Sequence, residues 1–211
     1  MVSRDEAFTR FPAGELDLAA SLETDPFLSV ESLRVQFEEP KRFSCVAMLD
    51  CSSSMSGEKH LLASLAVAVL LLQVEARDAG LIVFHSDARV IKPLGGEIHA
   101  EKTLFDFVRH RPRGFTNIQK GLTRGWEQTR LARGRRVGLL ATDGRYTEGG
   151  DPIDVANRFD FLAVLHLHGP GSSLEASQAI AQAGHGICLE VTEFSELPRR
   201  MYEALRRIAR T

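Results

Sequence analysis

The sequence predicts an α/β protein: a doubly wound, mainly parallel central sheet with one antiparallel edge strand and helices on both faces. Three observations carry this reading. From Arg42 onward, apolar runs of strand length alternate with helical patterns, as parallel strands joined by crossover helices require. Two of the runs flank Ser86-Asp87 so closely that no crossover helix fits between them, and they are expected to form an antiparallel hairpin. Two others stop at an acid, Asp50 and Asp143, at the carboxyl ends of strands where the crevice of a doubly wound sheet lies.

The elements follow in order. Residues 1–40 differ in character from the rest: Gly14 to Glu23 reads as a short amphipathic helix, and Leu33 to Phe37 alternates like a strand. They are expected to form an arm packed on the main domain, residues 41–211. Strands are expected over Ser44 to Leu49, Leu81 to His85, Ala88 to Ile91, Val137 to Thr142, Phe161 to His166 and Gly186 to Val191. Helices are expected over Gly57 to Arg77, Glu101 to Arg109, Asn117 to Leu131, Pro152 to Asn157, Leu174 to Ala183 and Phe194 to Ile208. The first helix is apolar around nearly its whole circumference, so it should be buried against the sheet. The last is basic and amphipathic, with Met201, Leu205 and Ile208 spaced for packing and the arginines left for the wet face.

With 211 residues, 44% hydrophobic and 26% charged, the chain can bury a substantial core without a disulfide framework. A net charge of -2 gives no global field of the kind that draws a protein to nucleic acid or anionic membrane, so binding should be local and specific. Cys45, Cys51 and Cys188 lack metal-type pair spacing and read as reduced core thiols, which favours the cytoplasm. The run Leu61 to Leu72 is shorter than the ~20 residues of a membrane span, and no apolar signal-peptide core follows Met1. A cytoplasmic protein is the expectation.

Five oxygen-bearing residues fall in three separate segments. Asp50, Ser52 and Ser54 follow the first apolar run, with hydroxyls on alternate residues after the carboxylate. Thr116 sits in Gly114-Phe115-Thr116-Asn117, ahead of an amphipathic stretch. Asp143 ends another apolar run and is followed by Gly144, which permits a tight turn. Carboxylates with neutral hydroxyls, leaving places for water, suit magnesium or manganese, whose oxygen shells lie at about 2.0 to 2.2 Å. Helix capping and turn formation explain each segment alone. Their combination points to one hard-cation site.

The pattern Asp-x-Ser-x-Ser, then a Gly-x-Thr loop, then an apolar strand ending Thr-Asp-Gly resembles a von Willebrand factor type A domain of the bacterial stand-alone type. The resemblance runs from about Lys41 to the C-terminus, and the family's metal-ion-dependent adhesion site falls on Asp50, Ser52, Ser54, Thr116 and Asp143. Members often carry a second glycine before the threonine, where this chain has Phe115. The resemblance implies direct ligation by the first segment, a distal aspartate that acts through water, and Thr116 as a conditional ligand. It also implies a protein partner whose Asp or Glu carboxylate completes the metal shell. Bacterial stand-alone domains of this type resemble partners of AAA+ ATPases of the MoxR and magnesium-chelatase kind, so an adaptor without catalysis of its own is expected.

A metal-dependent hydrolase using the same cation is the rival reading. Against it, no acid-rich cluster flanks Asp50, Ser54 has no identifiable base, and no phosphate-binding glycine loop appears. His166 and His168 share one face of an extended strand, and with His185 they would suggest zinc. At a strand end, hydrogen-bonded or solvent-facing histidines are the expected reading. Phe115 beside Thr116 is either an apolar anchor for a partner or tucked under its own loop. Glu148 and Asp151, in the loop after Asp143, are either an internal plug for the site or solvated charges.

Overall fold

The computed structural model describes residues 15–16, 35–36, 43–74, 76–97, 112–130 and 134–210. The chain divides into two units, Met1–Lys41 and Arg42–Thr211. In the first, strand β1 (Glu15–Leu16) pairs antiparallel with β2 (Val35–Gln36). β2 lies within the predicted strand, whereas β1 falls in the stretch read as a helix and corrects that reading. Leu16-Asp17-Leu18 also alternates with period two, and in so short a segment the available partner strand decides between the two periods. The expected packing of the arm on the main domain and the helix expected over Glu101 to Arg109 lie outside the described residues.

The second unit holds the six predicted strands: β3 (Ser44–Asp50), β4 (Ala79–Phe84), β5 (Ala88–Lys92), β6 (Arg136–Thr142), β7 (Phe161–Leu167) and β8 (Cys188–Val191). They lie in the order β5-β4-β3-β6-β7-β8. β5 runs antiparallel to β4 at one edge, and every other pair is parallel. The hairpin at Ser86-Asp87 is therefore the edge pair that its short connection requires. The helices are α1 (Glu58–Gln73), α2 (Ile118–Thr129), α3 (Ile153–Ala156), α4 (Leu174–Ala183) and α5 (Leu197–Arg210).

Strand alternation splits the core into two layers. Cys45, Ala47 and Leu49 of β3 face α1 and α5, where they meet Leu62, Ala66, Leu70, Met201 and Ile208. Val46 and Met48 face the other way, in the layer that holds Ile118, Leu122 and Ile180. This is the doubly wound arrangement, and it bears on α1 and α5. α1 is not buried all round as its composition suggested: Leu61 is 55% exposed, because a helix on a sheet has a back that apolar residues cannot avoid. In α5, Met201 and Ile208 of the predicted stripe are buried and Leu205 is half-buried against the same layer, Ala204 is buried beside them, and Arg199, Arg206 and Arg207 are exposed. α2 lies close against the sheet, since a Cβ at Gly125 would stand 2.1 Å from the Met48 sulfur.

The chain enters the sheet at β3, winds outward to β4 and β5, and returns to β6 on the opposite side of β3. The connections after β3 and β6 thus leave toward different faces and open a crevice between the carboxyl ends of these two strands. Leu49 stands opposite Ala141 in the register. That register brings Asp50 beside Thr142 and Asp143.

Candidate metal centre

Three loops meet at this crevice and are fastened to each other through their backbones. Cys51 N donates to Phe84 O at 2.7 Å, and Arg113 N donates to Cys51 O at 2.8 Å. Ser53 N donates to Gly114 O at 3.2 Å, which joins the serine loop to the threonine loop. Thr147 N and Glu148 N both donate to Thr116 O, at 2.9 and 3.0 Å, and Thr116 N donates to Thr147 Oγ1 at 3.1 Å. The loop after β6 is tied in turn to α4, where Ser173 N donates to Asp143 O at 2.8 Å. Such cross-loop bonds fix donor atoms that would otherwise wander on separate loops.

Within this frame, Asp50 is fully buried at the end of β3. Its Oδ1 accepts from Ser52 N at 2.9 Å, the turn that returns the following hydroxyls toward the carboxylate. Its Oδ2 accepts from Thr142 Oγ1 at 2.8 Å. Ser52 Oγ and Ser54 Oγ lie 3.2 Å apart, so the alternate hydroxyls converge as the pattern predicts. Asp143 is also fully buried; Arg145 N donates to its Oδ1 at 3.1 Å. Thr116 is buried and, with Ser54, lines a cavity of about 160 Å³ whose other walls are Ser53, Gly114, Phe115, Arg145 and Thr147.

Burial pushes the Asp50 carboxyl up to about 6, the hydrogen bonds from Ser52 and Thr142 pull against that rise, and nearby Asp143 adds to it. Asp50 is thus a buried carboxylate that its protein partners stabilise only in part, with a second acid close by. A cation at Asp50 relieves its burial, while Asp143 already meets the Lys59 ammonium at 2.9 Å. Every donor gathered here is a carboxylate or hydroxyl oxygen, which fits a hard divalent cation. The neighbouring thiol does not join them: Cys51 packs in the apolar layer under α1, and burial, with Asp50 adding to it, pushes it up to about 12.

Gly144 sits at φ +74, and a Cβ there would fall 2.1 Å from Ser173 O and 2.5 Å from Ser177 Oγ. The turn after Asp143 therefore needs glycine for its conformation and for its close approach to α4. Phe115, at the position where a second glycine is common, is 62% exposed and lies at the cavity wall. It is not tucked under its loop. Asp151 Oδ1 accepts from Ile153 N at 2.9 Å at the start of α3, and neither Asp151 nor Glu148 is among the residues lining the cavity.

Two residues escaped sequence reasoning. Thr142 was read only as the end of a strand, yet its hydroxyl both donates to Asp50 and accepts from Gly144 N at 3.1 Å. Lys59, in the first turn of α1, sends Nζ to 2.9 Å from Asp143 Oδ2 and is almost wholly buried. The only signal in the sequence was a lysine two residues beyond Gly57. The histidines divide as expected: His166 is buried with Nδ1 2.9 Å from Ser177 Oγ, and His168 is exposed beside Glu190. His185 stands at the other end of β7, where Gly184 O accepts from Leu162 N. Among the described residues, no group of three His, Cys, Asp or Glu side chains is placed to hold a metal.

No protein-family model matches the chain, and no curated protein matches it significantly. Solved structures do. BatB from Bacteroides thetaiotaomicron, a conserved hypothetical protein, superposes with a TM-score of 0.67 at 18% identity, covering 80% of this chain and all of that one. Proximal thread matrix protein 1 from the mussel byssus, with zinc in its adhesion-site motif, gives a TM-score of 0.65 at 20% identity over 80% of this chain and 48% of its own. A von Willebrand factor type A protein from Catenulispora acidiphila gives 0.62 at 17% identity over 81% of this chain and 43% of its own. By this overall similarity, the chain has the von Willebrand factor type A fold.

Proposed function

We propose that this domain is a divalent-cation-dependent protein-binding module. The observation that carries the reading is the meeting of two fully buried carboxylates, Asp50 and Asp143, with the converging hydroxyls of Ser52 and Ser54 at the crevice, beside a cavity that Thr116 walls. Asp50, Ser52 and Ser54 would hold magnesium or manganese from one side, Asp143 from the other, with Thr116 as the conditional ligand. When bound, the ion supplies a positive charge that accepts a glutamate or aspartate carboxylate from a partner protein. The zinc-bearing adhesion site of the mussel protein supports a divalent ion in this fold.

The protein's own groups prepare this contact. The cross-loop hydrogen bonds hold the donor atoms in place before binding, which lowers the ordering cost of association. Exposed Phe115 and Tyr146 flank the site and offer the apolar area that one charged contact cannot supply. Hydrolysis at the same cation would require a free base; Lys59, one of the basic side chains at the crevice with Arg145, is engaged by Asp143. We therefore assign binding without catalysis. The partner class, a AAA+ ATPase of the MoxR or magnesium-chelatase kind, rests on the motif resemblance, and the cytoplasm on the free, buried or half-buried thiols of Cys45, Cys51 and Cys188. No helix among the described residues is long and apolar enough to cross a membrane.

Calorimetry with magnesium and manganese on the wild type, Asp50→Ala and Asp143→Ala, with melting curves to check folding, tests the site. Binding by the wild type that is lost in a folded Asp50→Ala protein is expected. Equal binding by the variant would overturn the assignment.

A further inference from the structure

Lys59 is an unusual resident of this crevice. It lies in the first turn of α1, where the helix macrodipole already presents positive charge and a lysine is unfavourable. It is also buried, 9% exposed, at a further desolvation cost. Its ammonium is held by Asp143 Oδ2 at 2.9 Å. The fold also leaves room for its path: a Cβ on Gly169, in the loop after β7, would lie 2.4 Å from Lys59 Cε and 2.9 Å from Nζ. Two separate segments are thus arranged to bring a fixed cation onto one of the two acids of the candidate metal centre.

We propose that Lys59 is a resident counter-cation that competes with the divalent ion for Asp143 and holds metal affinity below what the oxygen donors alone would give. This rests on the cation-site reading above and assigns its regulation. In the metal-free protein the ammonium neutralises Asp143, so the crevice does not carry two uncompensated buried acids. With a divalent ion bound, Lys59 leaves the pair of carboxylates one formal charge short of neutralising it. The loaded site therefore keeps a net positive charge, and an external carboxylate gains more by binding to it. Because the pair is buried, salt screens this effect little.

The test is manganese affinity, measured by calorimetry on the wild type, Lys59→Met, Gly169→Ala and Asp50→Ala, with melting temperatures in chelator and in saturating manganese. Gly169→Ala keeps the lysine but pushes its flexible end off Asp143, so it carries the test if Lys59→Met fails to fold. Expected are a manganese Kd about tenfold lower in Lys59→Met, a smaller shift in the same direction in Gly169→Ala, and no binding by Asp50→Ala. The upward melting shift on adding manganese should be larger in Lys59→Met than in the wild type, since Asp143 is left unpaired until the ion arrives. Binding that appears only after the lysine is removed or displaced would support the proposal most directly. Wild-type binding with unchanged or weaker affinity in both variants would overturn it and leave the cation site standing. No binding by any of these proteins would overturn the cation site as well.

Discussion

The Thr142 hydroxyl donates to Asp50 Oδ2 at 2.8 Å, across 92 residues of sequence, and accepts from Gly144 N at 3.1 Å. One side chain thereby joins the carboxylate of β3 to the turn that follows Asp143. Thr142→Val keeps the shape and removes both bonds, leaving a buried carboxylate oxygen and a buried amide short of a partner. Urea denaturation should show a loss of about 2 kcal/mol. A loss below about 0.5 kcal/mol would mean that the hydroxyl is dispensable.

Gly144→Ala is expected to be more damaging. The left-handed backbone at φ +74 costs a residue with a Cβ about 1 to 2 kcal/mol, and the new methyl would meet Ser173 O at 2.1 Å. The displaced atom is backbone at the start of α4, so it has no easy path of retreat. A destabilisation of at least about 3 kcal/mol in denaturant melts, with loss of cation binding in whatever fraction folds, would match this geometry.

Phe115→Ala tests the surface rather than the fold. The ring is 62% exposed, so melting temperature and manganese affinity should stay at wild-type values. Capture of a magnesium-dependent partner should weaken by about tenfold or more if the ring seats in that partner. Unchanged capture would remove Phe115 from the binding surface.

Asp160 supplies a pH prediction away from the crevice. It accepts from Arg136 N at 2.7 Å and from the Arg136 guanidinium at 2.8 and 3.1 Å, pinning the start of β6 to the turn before β7. The Arg136 guanidinium, first of all through its hydrogen bonds, holds the Asp160 carboxyl below its ordinary value of 3.8. A carboxyl lowered on folding contributes stability above its unfolded value and loses it as pH falls through the folded one. The side chains are partly exposed, so the contribution is screened to about 1 kcal/mol. Asp160→Asn should cost about that much near pH 7, with the gap between variant and wild type closing as the pH falls below 3.8.

Much of this protein was legible in its sequence because the signals are local. The six strands of the main sheet are apolar runs bounded by turn residues, and each lies within a residue or two of its expected place. The hairpin edge followed from a two-residue connection, and the serine convergence from hydroxyls on alternate residues after Asp50. β1 was misread because a two-residue strand carries no period that excludes a helix, and only its pairing with β2 reveals it. The exposure of Leu61 escaped because apolar composition cannot say which side of a helix meets the sheet.

By itself the sequence determined the α/β architecture, its two apolar layers and the five oxygen-bearing residues at strand and loop ends. The tertiary structure alone decided what surrounds those residues: Thr142 on Asp50, Lys59 on Asp143 across 84 residues, and Phe115 turned outward at the cavity wall. The physical reason is one of range. Periodicity and turn chemistry act within a window of a few residues, whereas these contacts depend on the register of β3 against β6 and on where α1 and the β7 loop come to rest upon the sheet.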